Sequence, residues 1–94
     1  MYFVYILTNS RHTVLYVGVT NDLRRRHWEH VTKRNKTSFT ARYNIHKIVF
    51  YEEFESIKRA IRMEKYIKGK TRAWKVTLIN TVNPFWLDLS KTLG

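Results

Sequence analysis

Ninety-four residues are enough for one modest hydrophobic core and leave no chain for a second module, so residues 1–94 are read as a single domain. Eighteen Lys and Arg against seven Asp and Glu give a net charge of +11, with six Tyr, five Phe and three Trp among the basic residues. That balance favours a polyanion, nucleic acid before an anionic membrane surface, although ribosomal RNA or plain solubility would also use it. The absence of cysteine excludes disulfides, thiol catalysis and Cys-based zinc sites. With no basic leader and a first apolar run too short to span a bilayer, the expectation is a cytoplasmic protein with no membrane partner.

The apolar runs Tyr2 to Leu7 and Val14 to Val19 flank the polar, turn-forming Thr8-Asn9-Ser10-Arg11-His12-Thr13, the pattern of a β-hairpin. Counting by twos sets Gly18 on the same face as Tyr16, where the missing side chain lets a helix, a backbone or a phosphate come close. On composition alone, Tyr5 and Tyr16 are ordinary half-buried aromatic residues of a sheet. Asn21 or Asp22 is a suitable N-cap, and Leu23, His27 or Trp28, and Val31 recur at helical spacing, which predicts a helix from Leu23 to about Thr32. Its other faces carry Arg24, Arg25, Arg26, Glu29 and His30. Arg26 and His30, four apart, share a face that the short link from the glycine strand brings near Tyr16.

Lys33 to Arg42 is polar and basic and reads as a loop or frayed helix end, whose Lys33, Arg34, Lys36 and Arg42 either grip a phosphate backbone or are simply solvated. Ile48-Val49-Phe50-Tyr51 returns to strand chemistry within Lys47 to Glu53, a third strand set against the hairpin. The next helix begins near the N-cap Ser56, with Ile57, Ala60, Ile61 and Ile67 on its buried stripe. Glu64 falls on the same stripe, and a carboxylate among core positions is costly unless it is paired, protonated or bound to a metal. Metal or active-site duty and a structural ion pair are even readings at this point.

Gly69 is expected to end that helix as its C′ residue. Lys68-Gly69-Lys70-Thr71-Arg72 lacks the leading glycine of a phosphate-binding P-loop and is read as a basic turn. A third helix over Trp74, Val76 or Thr77, Leu78 and Ile79 stops before Pro84, and Asn83 to Leu89 is an aromatic-rich clasp that packs back on the body. The expected fold is therefore α/β, a three-stranded antiparallel sheet flanked by about three helices.

Val4-Tyr5-Ile6, the ten residues between Tyr5 and Tyr16, Tyr16-Val17-Gly18, and Asp22-Leu23-Arg24-Arg25-Arg26-His27-Trp28-Glu29-His30 together resemble the GIY-YIG nuclease family, small standalone bacterial type. The likeness extends from about Tyr2 to Leu89, and it departs from the family pattern at Phe3, Val4 and Val17, which are backbone or packing positions. What it implies is a divalent-metal-dependent endonuclease acting on DNA phosphodiesters, with one Mg²⁺ or Mn²⁺ held by Glu64. Tyr5, Tyr16, Arg26 and His30 complete the implied catalytic set. Tyr16 is the general base, which requires nearby cations or the metal to favour the phenolate, Arg26 clamps the phosphate, and Tyr5 and His30 orient Tyr16 or relay its proton. Arg25, Lys33, Arg34, Lys36, Arg42, Lys68 and Asn83 are the candidate substrate contacts.

The partner implied is nucleic acid, DNA favoured over RNA. With no second DNA-reading module expected, substrate choice falls to the loops, to branched or flapped DNA shape, or to a partner protein that supplies specificity. The rival reading is a non-catalytic basic nucleic-acid-binding or ribosome-associated module on the same fold, in which Glu64 is a structural ion pair.

Overall fold

The computed structural model describes residues 1–32 and 42–93. Three strands, β1 (Tyr2–Thr8), β2 (Leu15–Thr20) and β3 (Lys47–Phe54), form an antiparallel sheet in the order β2-β1-β3. The central position of β1 explains its composition. Covered on both faces, it is buried without interruption from Val4 to Thr8, as its unbroken apolar run requires. The hairpin is closed by Asn9, whose Oδ1 accepts from the Thr13 amide at 2.8 Å, and by Thr8, whose hydroxyl donates to the Val14 carbonyl at 2.8 Å. His12 takes φ 57° in that turn.

Helix α1 (Leu23–Thr32) starts at Asp22, whose Oδ1 accepts from the Arg25 amide at 3.0 Å. Leu23 is its buried anchor, and His27 rather than Trp28 is the next inward residue: His27 Nε2 lies 2.7 Å from the His46 carbonyl. Of the alternatives His27 and Trp28, Trp28 is exposed, as is Val31, expected on the inner face, because the face through Leu23, His27 and His30 is the one turned to the sheet.

Helix α2 (Ile57–Lys68) is capped by Ser56, as expected, and packs through Ala60, Met63 and Ile67. The expected stripe is thereby corrected. Advancing about 100° per residue, those three define the inward direction and leave Ile57 and Ile61 at the edge, 42% and 38% exposed. Glu64 stands on the shoulder between core and edge. Gly69 does end α2, but in the right-handed region at φ −76°, with its amide 3.1 Å from the Lys65 carbonyl, so no left-handed C′ turn is used.

Helix α3 (Arg72–Val82) begins at the cap Thr71 and buries Ile79. Together α2 and α3 cover the sheet face of Val4, Ile6, Val17 and Phe50, while α1 and a final 3-10 turn (Leu89–Thr92) cover the face of Tyr5, Leu7 and Ile48.

A bulge breaks the β1–β3 register between Ile6 and Leu7, which pair with Phe50 and Ile48 and leave Val49 as the extra residue. The C-terminal segment repairs it. Asn83 Nδ2 donates to the Val49 carbonyl at 3.1 Å, and Asp88 Oδ1 accepts from the Ile48 amide at 3.2 Å. The expected clasp is thus present, though it works through these polar groups and through Trp86 and Leu89; Phe85 is 81% exposed.

Candidate active site

Tyr5 lies directly opposite Gly18 in the β1–β2 ladder, and Tyr16 is two residues back along β2, the diagonal neighbour that an aromatic side chain can reach. The ring of Tyr5 crosses the space that a side chain at 18 would fill: a Cβ there would stand 2.5 Å from the Tyr5 Cζ. The close approach read from Gly18 is therefore made by the neighbouring strand's tyrosine. His30 of α1 closes a triangle of rings, with centroids 6.3 Å from Tyr5 and 5.6 Å from Tyr16, and the tyrosines are 6.4 Å apart.

Burial raises the Tyr5 phenol far above its ordinary value, with Tyr16, Glu64 and Glu29 adding to the shift and Arg26 opposing it. Tyr5 therefore stays protonated at neutral pH. Charge from both α1, through Arg26 and Glu29, and α2, through Glu64, thus bears on the Tyr5 phenol. Burial, reinforced by Arg26, holds His30 below the ordinary imidazole value, which leaves a neutral ring at neutral pH.

The cations of the site are partly occupied. Arg26 Nη1 is 3.7 Å from Glu29 Oε1, an exposed pair of little energetic weight. Lys68 Nζ is 2.8 Å from Glu64 Oε2, and the Glu64 side chain is 14% exposed. Both pairs have the i,i+3 or i,i+4 spacing that the sequence displays, on helix faces that the sequence reading gives to metal and substrate instead.

The remaining candidate substrate contacts fall in different places. Arg25 is exposed on α1, and Arg42 is exposed with its guanidinium 5.9 Å from the Tyr43 ring centroid. Lys68 is turned to Glu64. Asn83 is buried away from the tyrosines, its amide spent on Val49 and on both backbone groups of Leu87, so its place is in the clasp. Lys33, Arg34 and Lys36 lie outside the described residues.

Among the described residues no cluster of three or more His, Asp or Glu side chains is arranged to hold a metal. A lone carboxylate nevertheless suits Mg²⁺ or Mn²⁺, hard cations that keep most of their water and take one or two protein oxygens. Glu64, half-shielded and within electrostatic reach of Tyr5, fits that requirement.

Two tyrosines from adjacent strands, packed over a glycine and joined by the first helix, define a nuclease-type fold. The model of the GIY-YIG catalytic domain matches residues 1–77, and the chain belongs to that family. Within it the chain is similar to two UPF0213 proteins of Streptococcus agalactiae, of serotypes V and III, each 38% identical over 77 residues that make up 82% of this chain and 85% of the relative. It is also similar to the solution NMR structure of a UPF0213 protein from Bacillus halodurans, with a TM-score of 0.58, 26% identity, and coverage of 97% of this chain and 96% of that one. Among the described residues no helix is long and apolar enough to cross a membrane.

Proposed function

We propose that residues 1–94 act as a single cytoplasmic domain that hydrolyses DNA phosphodiester bonds as an endonuclease, selecting branched or flapped DNA in repair or recombination. The observation that carries this reading is the convergence of the Tyr5, Tyr16 and His30 rings over Gly18.

Glu64 would hold one Mg²⁺ or Mn²⁺. When bound, the ion supplies charge neutralisation at the scissile phosphate and the leaving oxygen. Tyr16 takes the proton of the attacking water. Neutral His30, packed against Tyr16, receives or orients that proton. Tyr5, held protonated, donates to the oxygen that Tyr16 must keep aligned. Arg26 leaves its weak pair with Glu29 to clamp the non-bridging oxygens as charge builds on them.

The test is incubation of the purified protein with labelled single-stranded, duplex, flap and four-way DNA in Mg²⁺ or Mn²⁺, beside the Glu64→Ala protein. Cleavage by the wild type alone, stopped by a chelator, is the expected result; binding without cleavage on every substrate overturns the reading.

The Glu64–Lys68 ion pair supports a second reading, a basic nucleic-acid-binding or ribosome-associated module in which Glu64 is structural. On that reading Glu64→Gln shifts the melting temperature and no substrate is cut.

A further inference from the structure

On the far side of α2, where Arg59, Arg62 and Tyr66 lie roughly 140–160° around the helix from Glu64 and Met63 about 100°, a depression of about 390 Å³ is lined by these residues and Phe54. Its chemistry is unlike that of the tyrosine site. Tyr66 is 52% exposed, although a large aromatic side chain is ordinarily drawn inward. Trp74 meets its ring edge-on at 5.7 Å and so fixes it in place. Lys70 Nζ lies 4.4 Å from the same ring centroid.

Arg59 and Arg62, three apart, stand side by side on the helix surface, and among the described residues neither is in an ion pair. An exposed ring that carries Lys70 over one face and borders a depression with an apolar floor and two arginines is matched by a planar, apolar group that carries negative charge a few ångströms away. A nucleotide has that form; an acidic peptide supplies the charge without the ring. Paired bases already stack on each other, so only an unpaired base can present its face to Tyr66.

We infer that this depression is a second nucleic-acid contact that takes an unpaired nucleotide, the base against Tyr66 and Met63 and the phosphates on Arg59, Arg62 and Lys70. The neighbouring depression sets the direction of the strand. Glu52, Glu53 and Glu55 line it beside Phe54 and Arg59, so the phosphates leave on the Arg62 and Lys70 side, away from that acidic edge. A flap with one segment at the tyrosines and its unpaired end on Tyr66 would meet both sites across one helix. The inference deepens the nuclease reading by naming the unpaired part of its substrate, and it is tested without catalysis.

Binding of a short fluorescein-labelled oligothymidylate is followed by anisotropy in a chelator, for wild type, Tyr66→Ala, Tyr66→Trp and Arg59→Gln/Arg62→Gln, with circular dichroism to confirm folding. Tyr66→Ala is expected to weaken binding about tenfold, the loss of one stacked base, and Tyr66→Trp to keep it. The double arginine variant, whose exposed positions spare the fold, is expected to weaken binding and flatten its dependence on log salt by about 1.4, or about 0.7 for each phosphate no longer neutralised. Wild-type affinity in both the tyrosine and the arginine variants overturns the inference, as does a poly-glutamate peptide that binds as tightly as the oligonucleotide. Because no metal is present, these outcomes leave the nuclease reading standing; binding without cleavage by the wild type in Mg²⁺ or Mn²⁺ would end that reading and leave this one.

Discussion

One face of the sheet presents Val4, Ile6, Val17 and Phe50 to α2 and α3, and the other presents Tyr5, Tyr16 and the bare backbone of Gly18 to α1. The first is filled by apolar side chains, aliphatic and aromatic, whose buried atoms need no polar partner. The second buries the phenol of Tyr5 and half-buries the imidazole of His30, whose burial shifts their proton equilibria and must be tolerated. The same three strands therefore carry stability on one side and reactive groups on the other, and β1, buried on both faces, joins them. Glu64 belongs to a helix of the stable side yet its charge bears on Tyr5 of the other side, because it sits on the shoulder of α2 rather than at its centre.

The sharpest test of that division sets Tyr16→Phe beside Ile79→Ala. Removal of the Tyr16 hydroxyl is expected to slow DNA cleavage by about 10²–10⁴-fold, the worth of a general base, with the melting temperature little changed. Ile79→Ala, at a fully buried site, is expected to cost about 2–5 kcal/mol of stability and to leave single-turnover cleavage near wild type below its melting temperature. If Ile79→Ala slowed the chemistry of folded protein as much as Tyr16→Phe does, the two faces would not be separate.

Asn83→Ala is the next smaller effect, about 1–3 kcal/mol, because it strands the Val49 carbonyl and the Leu87 amide together. Denaturant unfolding checks it. A loss of cleavage with no loss of stability would return Asn83 to the substrate path.

What was legible in the sequence follows from range. Asp22, Ser56 and the Asn9 turn were readable because a cap or an Asx turn is completed within five residues. The tyrosine pair was also legible, through the motif; periodicity places Glu64 at the centre of a buried stripe, whereas it stands on the shoulder of α2 and pairs with Lys68. The bulge at Val49 was not, since the groups that satisfy it come from Asn83 and Asp88, 34 and 40 residues from their partners. Helix faces failed for a related reason. Ile57 and Ile61 are apolar at the right spacing, and only the position of the sheet decides that Ala60, Met63 and Ile67 point inward. On α1 the sequence leaves His27 or Trp28 open, and the contact that decides for His27, with the His46 carbonyl, comes from 19 residues away.

Acid should probe the reactive face through His30. Its folded-state pKa is depressed, by burial first and then by Arg26 and His27 against the opposing Glu29, so below about pH 6.5 the unfolded chain binds the proton more readily than the folded one. Stability is therefore complete above that value and falls as pH drops through the window beneath it. His12, lowered by burial and by Lys47, adds in the same direction. At Asp88 burial would raise the carboxyl, but the hydrogen bonds from Ser90 and the Ile48 amide outweigh it and hold the group below its ordinary value, so its contribution is lost only at more acidic pH. Melting curves between about pH 5 and 7.5 should thus show a slope that His30→Asn makes shallower without abolishing; an unchanged slope would mean that His30 is not shielded.

The smallest effect separates the two readings of Glu64. Lys68 is 51% exposed and holds Glu64 Oε2 from one turn away, a pair worth about 0.2–1 kcal/mol. A cation at that carboxylate must share it with the ammonium or displace it. Lys68→Met is then expected to lower the Mg²⁺ concentration for half-maximal cleavage by about two- to fivefold while the melting temperature drops slightly. If the carboxylate serves only the lysine, the variant loses stability and its metal dependence does not move. A Mg²⁺ titration of the two proteins at constant ionic strength tells these apart, because only a metal that meets the Glu64 carboxylate responds to the charge removed beside it.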